Sequence, residues 1–475
     1  MSPLPPSNNV VLPPKLEPPK EPKIWRVGTL TYTAGGLAVL FFWLLWGDFA
    51  SAMSGRSVGP MMQFLLRKYA ASNFLISLLL GSATALITMF LAPIISYKSD
   101  RHRGRWGRRI PFLLIPTPIA ALCMALLGFC PWIGSQLDHF LGSDSPGSNQ
   151  SVLIAFGVCW ILFDFANIMA TAVFGSLVKD VVPNVWLGRF YGMFRIVGLV
   201  AGMIFNHWFL GQTEHHYVWI FAGCAAVWGG GITIMCLNVK EGQYDPPPPV
   251  ESGHTAIGGF LHIVKGYFRE SFGNPYFCWY FATVTLSGLT QAAVNGSSLL
   301  FAGSINMGLQ WYGDCITLTF FISVFLSYAI GALADRFHPL RITIVTLVLY
   351  GLVMLWGGLF ARDAWTFAVA LVAHGVMNGS YATANASLAA KLLPGSRFAQ
   401  LCSAGGIISS IVGIAFGPSV GKFLDHMSKV YHTDKIYHYT FWIGLGVTVL
   451  ALMCNSVLYK KFTVLGGPKN YVAPE

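Results

Sequence analysis

Charge is scarce in this chain: only 10% of its 475 residues are charged, while 54% are hydrophobic. A soluble domain carries about 25% charged residues. Segments of about 20 apolar residues recur along the whole sequence, which is the length needed to cross a hydrocarbon core of about 30 Å. The alternating pattern of a membrane β-barrel is missing. The sequence therefore predicts an all-α protein that crosses a membrane many times.

Paired cysteines are missing too, because the nine cysteines are spread singly through apolar stretches. This pattern predicts neither disulfides nor a metal site. HExxH, Walker-loop and nucleophile-elbow motifs are absent, so we expect no enzyme activity and no cofactor. The N-terminus has no apolar signal region, and its proline and charge content predicts a disordered tail over 1–28.

Apolar runs divide the sequence into twelve candidate spans. They are 34–61, 73–97, 110–133, 152–178, 189–210, 217–238, 275–303, 312–334, 341–360, 364–389, 399–424 and 438–460. Loops rich in Lys and Arg alternate with loops that have few. The positive-inside rule therefore places both termini and the basic loops in the cytoplasm, in a plasma or inner membrane. Because this bias accounts for the net charge of +11, we expect no nucleic-acid partner.

A polar linker over 239–274 divides the chain into two halves. Six spans precede it in 29–238 and six follow it in 275–460, with a cytoplasmic tail over 461–475. The linker contains DPPPPV, a stiff breaker, and then a predicted amphipathic helix that lies at the membrane interface.

Two sequence patterns occur once in each half at matching positions. At the end of the fourth and tenth spans, a Ser-Leu pair is followed by proline seven residues after the serine, from Ser176 to Pro183 and from Ser387 to Pro394. The loops after the second and eighth spans begin with SDR and ADR. Repeated six-span halves are typical of secondary transporters, whose substrate site lies near the midplane between the halves.

The most basic segment is KSDRHRGRWGRRIP at 98–111, which holds six of the 30 Lys and Arg. With its shorter echo in the second half, it resembles the loop motif of the major facilitator superfamily. Its expanded form is most similar to the glycoside–pentoside–hexuronide:cation symporters and the plant sucrose transporters. The resemblance implies a cytoplasmic gate, whose helix-end contacts hold one state of the transport cycle. The gate residues it implies are Asp100, Arg101, Gly107, Arg108, Arg109, Asp335 and Arg336.

Ionisable residues inside the predicted spans are costly and are therefore candidates for function. Asp48 and Arg56 lie in the first span, Asp164 in the fourth and Arg195 in the fifth. They either form structural ion pairs, such as Asp48 or Asp164 with Arg195, or face a cavity where they bind substrate or carry a proton. The resemblance adds that an Asp and an Arg at about the places of Asp48 and Arg195 contact sugar in melibiose-carrier-like proteins.

Three spans carry polar residues at helical spacing, so each stripe lies on one helix face. Such stripes avoid lipid, and they either form interhelical hydrogen bonds or line a binding site. The candidates are Asn167 and Thr171 in the fourth span, Gln291 and Asn295 in the seventh, and His374, Asn378, Tyr381 and Asn385 in the tenth. His374 is either a proton relay or a structural histidine. The resemblance places the first, fourth, seventh and tenth spans around the cavity.

The resemblance also bears on the coupling ion. Positions that are acidic in sodium-coupled members are Thr88, Ala92 and Thr171 here, so we expect proton coupling or uncoupled flow rather than sodium coupling. The sequence thus predicts a monomeric secondary transporter that moves a small polar solute, a sugar or glycoside, by alternating access. A lysolipid or other amphiphile carrier of the same fold is an alternative. So is a membrane sensor that transports nothing.

Overall fold

Long helices make up most of the computed structural model, which describes residues 24–244, 269, 271–394, 397–433 and 435–474. The DPPPPV segment and most of the predicted interfacial helix lie outside the described residues. The helices extend beyond the apolar runs on which the spans were predicted. Hydropathy marks only the part of a helix that lies in hydrocarbon, and the helical hydrogen bonding continues into the polar layer.

The first half contains six helical segments. They are α1 Ala34–Lys68, α2 Asn73–Arg101, α3 Ile110–Asp144, α4 Ser148–Val181, α5 Asn184–Ile204 and α6 Thr213–Asn238. Within α2, the stretch Leu78–Ala83 is a π-helix. A second π-helical turn, Phe205–Phe209, and a 3₁₀ turn, Leu210–Gln212, connect α5 to α6.

The second half contains six more. They are α7, broken into Pro275–Leu289, Ala292–Asn295 and Ser298–Ser304, then α8 Leu309–Phe337, α9 Pro339–Phe360, α10 Ala364–Asn385, α11 Phe398–Tyr431 and α12 Tyr439–Val464. Short helices, Leu388–Leu392 and Gly467–Asn470, follow α10 and α12. We call the end of the bundle that carries the 102–109 loop and residues 239–244 the basic face, and the opposite end the distal face.

Nine segments of the described chain are long and apolar enough to cross a membrane. One of them, Val185–Asn238, is 54 residues long. At about 1.5 Å per residue this is more than twice the thickness of a bilayer core, so it represents α5 and α6 joined by their turns. The breaks in α7 leave no uninterrupted helix long enough to cross a membrane. The polar stripe of α10 lowers the mean hydropathy of that helix. The described residues are thus consistent with the twelve predicted crossings.

Helix packing repeats between the halves. In the first half α1 packs on α5 and α6, α3 packs on α4 and α6, and α2 packs on α4. In the second half α7 packs on α11 and α12, α9 packs on α10 and α12, and α8 packs on α10. The halves meet where α2 packs on α11 and α5 packs on α8, and these two seams are equivalent when the halves are exchanged. The described packing is consistent with the predicted arrangement of two pseudo-repeated six-helix halves.

A small hairpin precedes α1 and is the one departure from an all-α fold in the described residues. Strand β1, Trp25–Val27, pairs antiparallel with β2, Leu30–Tyr32, around Gly28, whose φ of 55° favours glycine. Trp25 packs edge-on against Trp186 of α5, with ring centroids 6.2 Å apart. The predicted disordered tail over 1–28 is therefore wrong at residues 25–27, because a turn and an aromatic anchor order them.

Candidate functional site

The seam between α2 and α11 is closed at the distal face by a carboxylate that caps a helix. Asp425 of α11 accepts hydrogen bonds from the first two backbone N–H groups of α2, both at 2.9 Å, and from the Asn73 side chain at 2.7 Å. The Tyr437 hydroxyl donates to Asn73 Oδ1 at 2.8 Å. Within the π-helical stretch, Ser82 donates to the Ile414 carbonyl at 2.6 Å. These bonds satisfy helix-end donors that would otherwise lack partners.

The equivalent seam, between α5 and α8, is closed at the same end. His207 Nδ1 lies 2.7 Å from Asp314 Oδ1, and the Gln310 side-chain amide donates to the His207 carbonyl at 2.7 Å. The helices approach so closely that a Cβ at Gly313 would lie 2.1 Å from the Asn206 carbonyl oxygen. Both seams are therefore in tight contact at the distal face.

Nearer the middle of the bundle, the halves are joined by fewer contacts. The Gln63 side chain of α1 donates to the Gly296 carbonyl of α7 at 2.7 Å. Arg195 of α5 reaches the Gly379 carbonyl of α10 at 3.4 Å. Among pairs of described residues, hydrogen bonds between the halves occur in the distal and middle parts of the bundle and not at the basic face.

Three of the predicted gate residues meet around a carboxylate that the sequence did not single out. Asp180, near the end of α4, accepts from Arg108 Nε at 2.9 Å and Nη2 at 2.6 Å, and from Arg109 Nε at 3.1 Å. Arg109 also donates to the Ser99 hydroxyl at 2.6 Å and to the Asp100 carboxylate. All of these residues belong to the first half, so the cluster joins α2, α3 and α4 to one another.

A second carboxylate, Glu241, caps the start of α3. It accepts hydrogen bonds from the backbone N–H groups of Arg108 at 2.9 Å, Arg109 at 2.8 Å and Ile110 at 2.7 Å. A negative charge at this position also interacts favourably with the helix dipole. The fit requires glycine at Gly107, where φ is 97° and a Cβ would lie 2.6 Å from the Glu241 carboxyl carbon.

An aromatic ring completes this first-half cluster. The Arg108 guanidinium lies 4.0 Å from the centroid of the Tyr244 ring. Burial and the nearby Asp180 and Glu241 carboxylates raise the pKa of Tyr244 to about 12. The phenol therefore stays neutral and serves as a surface on which the guanidinium stacks.

The corresponding loop of the second half has a single, exposed ion pair. Asp335 lies 3.6 Å from Lys391, with side chains 80% and 36% exposed. Lys391 follows Ser387 by four residues, as Asp180 follows Ser176. The helix-end member of the ion pair thus recurs at the same place in the repeat with the opposite charge, while its partner is Asp335, the counterpart of Asp100.

Two predicted gate arginines, one from each half, lie over aromatic rings of their own helices. The Arg101 guanidinium lies 5.4 Å from the Tyr97 ring centroid, and that of Arg336 lies 5.3 Å from the Phe337 ring centroid. The acidic residue of each motif is exposed: Asp100 by 54% and Asp335 by 80%. Both acidic side chains are thus open to a partner from outside their own half.

The charged residues inside the spans do not pair with one another in the described structure. Asp48 is half-buried, and its Oδ2 has no hydrogen-bond partner. Arg195 is exposed apart from its bond to Gly379. The Arg56 guanidinium lies 4.9 Å from the Phe320 ring of α8 and within electrostatic range of Arg195. A carboxylate and two like charges are therefore present in the middle of the bundle without forming an ion pair.

Asp164 lies elsewhere. Its side chain is 4% exposed and faces Thr84 of α2, although neither Asp164 Oδ2 nor Thr84 Oγ1 makes a well-formed hydrogen bond among the described residues. The predicted alternative of an ion pair with Arg195 is not realised. On the same helix, Asn167 is half-buried and Thr171 is exposed, and the Thr171 hydroxyl donates to the Asn167 carbonyl at 2.9 Å. The predicted stripe is thus split between a packed interface and an open surface.

The stripes of α7 and α10 meet, as their polar residues predicted. His374, 2% exposed, has Nε2 at 2.8 Å from Asn295 Oδ1 and Nδ1 at 2.9 Å from the Tyr350 hydroxyl. An amide oxygen can only accept, so Nε2 carries the proton and Nδ1 accepts from Tyr350. Because both ring nitrogens are satisfied within the second half, the geometry favours the structural interpretation of His374.

The other predicted residues occupy different settings. Gln291 is half-buried at the first break in α7, directly before the segment Ala292–Asn295. Asn378 and Asn385 are half-buried on α10, and Tyr381 is buried beside Ser287. Gln291 and Asn378 thus lie near the His374 cluster along their helices, whereas Asn385 ends α10 at the basic face.

Two equivalent six-helix halves, with charged and amide side chains between them and contacts concentrated at one end, define a membrane transporter of the major facilitator fold. The chain belongs to the MFS/sugar transport protein family, whose model matches residues 31–421. The family and the relatives it is similar to are transporters rather than enzymes, in agreement with the expectation of no enzyme activity.

Two curated relatives carry sugar transport in their names. A general alpha-glucoside permease of Schizosaccharomyces pombe is 27% identical over 188 residues, which is 37% of this chain and 32% of the relative. A sucrose transport protein of Arabidopsis thaliana is 24% identical over 164 residues, which is 33% of this chain and 29% of the relative. The chain spans about a third of the length of the curated relatives it matches.

Solved structures agree on the fold over a much greater length. A D-xylose–proton symporter has a TM-score of 0.58 at 14% identity, covering 89% of this chain and 96% of its own. A bacterial homologue of the iron transporter ferroportin, in an inward-facing state, has a TM-score of 0.63 at 12% identity, covering 89% and 99%. Identities this low show a common fold and no more.

Proposed function

We propose that this protein is a secondary active transporter that moves a sugar or glycoside by alternating access, with a proton as coupling ion. The observation that supports this most is the unpaired set in the middle of the bundle. Among the described residues, Asp48 has a carboxylate oxygen without a partner, and Arg195 reaches across to the other half without an ion pair. A charge inside a membrane span costs several kcal/mol, about 3 on insertion scales, so its retention without a partner favours a ligand-binding role.

Sugar hydroxyls suit these side chains. A hydroxyl can donate to the Asp48 carboxylate and accept from the Arg195 guanidinium, and charged partners make such hydrogen bonds stronger than neutral ones. Asn295, held by His374, supplies an amide from the opposite half. The names of the sugar-carrying relatives support the same substrate class.

The state of the transporter follows from where the halves touch. The described inter-half hydrogen bonds lie in the distal and middle parts of the bundle. If the basic face is cytoplasmic, as the loop charges predict, the molecule is open to the cytoplasm. In the alternate state, we propose that the exposed carboxylates of Asp100 and Asp335 take part in contacts that close the basic face. We further propose that the carrier works as a monomer in a plasma or inner membrane, with both termini cytoplasmic.

Coupling to protons would use a carboxyl group that changes its partner during the cycle. Asp48 and Asp164 are the two candidates, because each is inside a span and has an oxygen without a well-formed hydrogen bond. Asp48 belongs to the proposed sugar site itself, whereas Asp164 faces α2, the helix that forms one of the seams between the halves. Asp48 is thus placed to link proton and sugar directly, and Asp164 to link the proton to helix movement.

The test is uptake of labelled sugars into proteoliposomes, with and without an imposed pH gradient. We expect uptake of a glycoside that the gradient accelerates. Asp48→Asn should abolish the acceleration, and Arg195→Ala should lower kcat/KM at least about tenfold, as expected for loss of a charged hydrogen bond. Asp144→Asn and Arg26→Ala, which change the same charges at exposed positions, serve as controls and should transport like the parent.

Three outcomes distinguish the proposed substrate class, the transport activity and the binding site. Flux of a lysolipid without flux of any sugar would replace the substrate class while keeping the fold. Absence of all flux in a folded, correctly inserted protein would favour a sensor. If Asp48→Asn and Arg195→Ala carriers transport like the parent, the proposed site is wrong even though the chain is a transporter.

A further inference from the structure

A cavity of about 800 Å³ opens at the basic face, inside the first half and away from both seams. Its walls are the 102–109 loop, the first turn of α3 and the end of α6 with the residues that follow it. The lining includes Arg103, Arg105, Trp106, Leu114, Leu237 and Lys240. Because it lies outside the space between the halves, the cavity is separate from the proposed sugar site.

The cavity carries positive charge that the described residues do not neutralise. Its acidic lining residue, Glu241, is occupied by three backbone N–H groups of α3. Arg108 is held by Asp180. Arg105 and Lys240, by contrast, are exposed and make no ion pair or hydrogen bond with the described residues. Two cations therefore line the same opening, and no anion of the described residues pairs with them there.

The same opening has an apolar side that is exposed. Trp106 is 58% exposed and Leu237 is 70% exposed, and Leu114 continues this surface along α3. These residues lie where α3 begins and α6 ends, and the ends of membrane-spanning helices are expected at the depth of the lipid headgroups. Tryptophan is enriched at that depth because its ring is apolar and its N–H is polar. The opening thus combines uncompensated cations with an apolar wall at the membrane boundary.

We propose that this cavity binds an anionic phospholipid from the leaflet at the basic face, with Arg105 and Lys240 on the phosphate and Leu237 and Leu114 against the acyl chains. A phosphate group would neutralise the two cations. Basic pockets between membrane helices on the cytoplasmic side are known to bind such headgroups. A soluble phosphate would satisfy the cations but would leave the exposed apolar wall without a partner. The lipid is therefore the occupant that uses both sides of the opening.

Native mass spectrometry of the full chain in detergent tests the proposal. Phosphatidylglycerol, phosphatidylcholine, glycerol 3-phosphate and inorganic phosphate are each titrated. We expect saturable binding of phosphatidylglycerol. Arg105→Ala/Lys240→Ala should weaken this binding by about thirtyfold, because each of the two cations contributes a similar share of the affinity for an anionic headgroup. Arg105→Lys/Lys240→Arg keeps both charges and should retain binding. The unfolding temperature of each lipid-free variant shows whether it is folded.

Lys460→Ala/Lys461→Ala removes the same charge from the end of α12 at the basic face, away from the cavity, and should change binding less than about twofold. An equal loss in this control would overturn the proposal, because the attraction would then be non-specific. Unchanged binding in Arg105→Ala/Lys240→Ala would overturn it as well. Displacement of the lipid by glycerol 3-phosphate or inorganic phosphate at similar concentrations would show a soluble-phosphate site and overturn the assignment of the lipid.

Discussion

The loops that join the second helix to the third in each half show how one repeat is built in two ways. In the first half, Arg108 and Arg109 converge on Asp180, and the side chains of the three are 6–19% exposed. In the second half, Asp335 faces Lys391 at 3.6 Å with both side chains open to solvent. An ion pair to a residue near the end of the fourth span is retained in both halves, whereas its polarity is reversed and its burial is lost.

Loop length explains the difference. The first-half loop runs over residues 102–109 without regular structure, and its N–H groups and charges need partners such as Asp180 and Glu241. The second-half connection is His338 alone, between Phe337 and Pro339, with a left-handed φ of 78°. A one-residue connection is already constrained by the helices on either side. The buried cluster is thus the means by which a long loop is fixed, and the short connection does not need it.

The largest effect is expected from Asp180→Ala. The change leaves the buried Arg109 guanidinium and its neighbour Arg108 without their main counter-charge, and breaking a buried ion pair costs about 3 kcal/mol or more. Thermal unfolding of the purified protein should show the loss. Asp144→Ala removes an exposed carboxylate at the distal face and should have almost no effect. A loss equally small for Asp180→Ala would mean that the cluster does not fix the loop.

Glu241→Gln should have the next largest effect. The amide retains one accepting oxygen but loses the negative charge opposite three N–H groups and the helix dipole, so we expect a loss of about 1 to 2 kcal/mol. Hydrogen exchange measures it locally: the amides of residues 108–110 should exchange faster while those in the middle of α3 stay protected. Uniform acceleration along α3 would show that the variant destabilises the helix as a whole and would contradict a local cap.

The second-half connection should respond to pH through His338. Burial, with Lys391 and Arg341 nearby, lowers the pKa of His338 to about 4. The unfolded chain, with an ordinary pKa of about 6.5, then binds more protons between these values. His338 therefore costs no stability above pH 6.5, and stability falls as the pH drops from about 6.5 towards 4. For a half-buried group screened by solvent, we expect about 1 kcal/mol.

His338→Asn is the matching variant, because asparagine tolerates the left-handed conformation. Unfolding temperatures of the parent and of His338→Asn, compared from pH 7.5 to 4.5, should diverge at the acidic end, with the variant less sensitive. Parallel curves over this range would mean that His338 is not the group responsible.

The smallest effect is expected from Lys391→Ala. An exposed ion pair contributes about 0.5 kcal/mol or less, so the unfolding temperature should barely change, although Lys391 occupies the repeat position of Asp180. Lys179→Ala, an exposed cation at the end of α4, is the reference for loss of a surface charge. A loss of stability comparable with that of Asp180→Ala would show that both connections depend equally on their ion pairs. That result would contradict the importance of burial to the Asp180 cluster.

Much of this fold is readable from the sequence, because membrane helices must be apolar over a fixed length and the loop charges alternate. The repeated Ser-Leu and Asp-Arg patterns likewise indicated the two halves. The π-helical turns Leu78–Ala83 and Phe205–Phe209 were not predictable, since a π turn adds one residue to a helix without changing its composition. Each lies at a seam with the other half, where tertiary contacts determine it.

The candidate site was predictable in part. Helical spacing brought Asn295 and His374 to facing helices, and the cost of burying charge singled out Asp48. Asp180, Glu241 and Asp425 were missed, because acidic residues at helix ends are common and their partners are distant in sequence. The sequence did contain a signal for Asp180. The repeat aligns Asp180 with Lys391, and a residue whose charge differs between the halves predicts an ion pair in each half, with a partner of the opposite charge.

The exchanged polarity of the two loops also bears on how a tandem repeat assembles. Equivalent segments of two similar halves can swap places during folding. If the 102–109 loop docked on the second half by mistake, Arg108 and Arg109 would meet Lys391 of the helix Leu388–Leu392, and if the end of α8 docked on α4, Asp335 would meet Asp180. Both errors bring like charges together, whereas each loop attracts the helix of its own half. We therefore expect the opposite polarities to disfavour an exchange of the two connections between the halves.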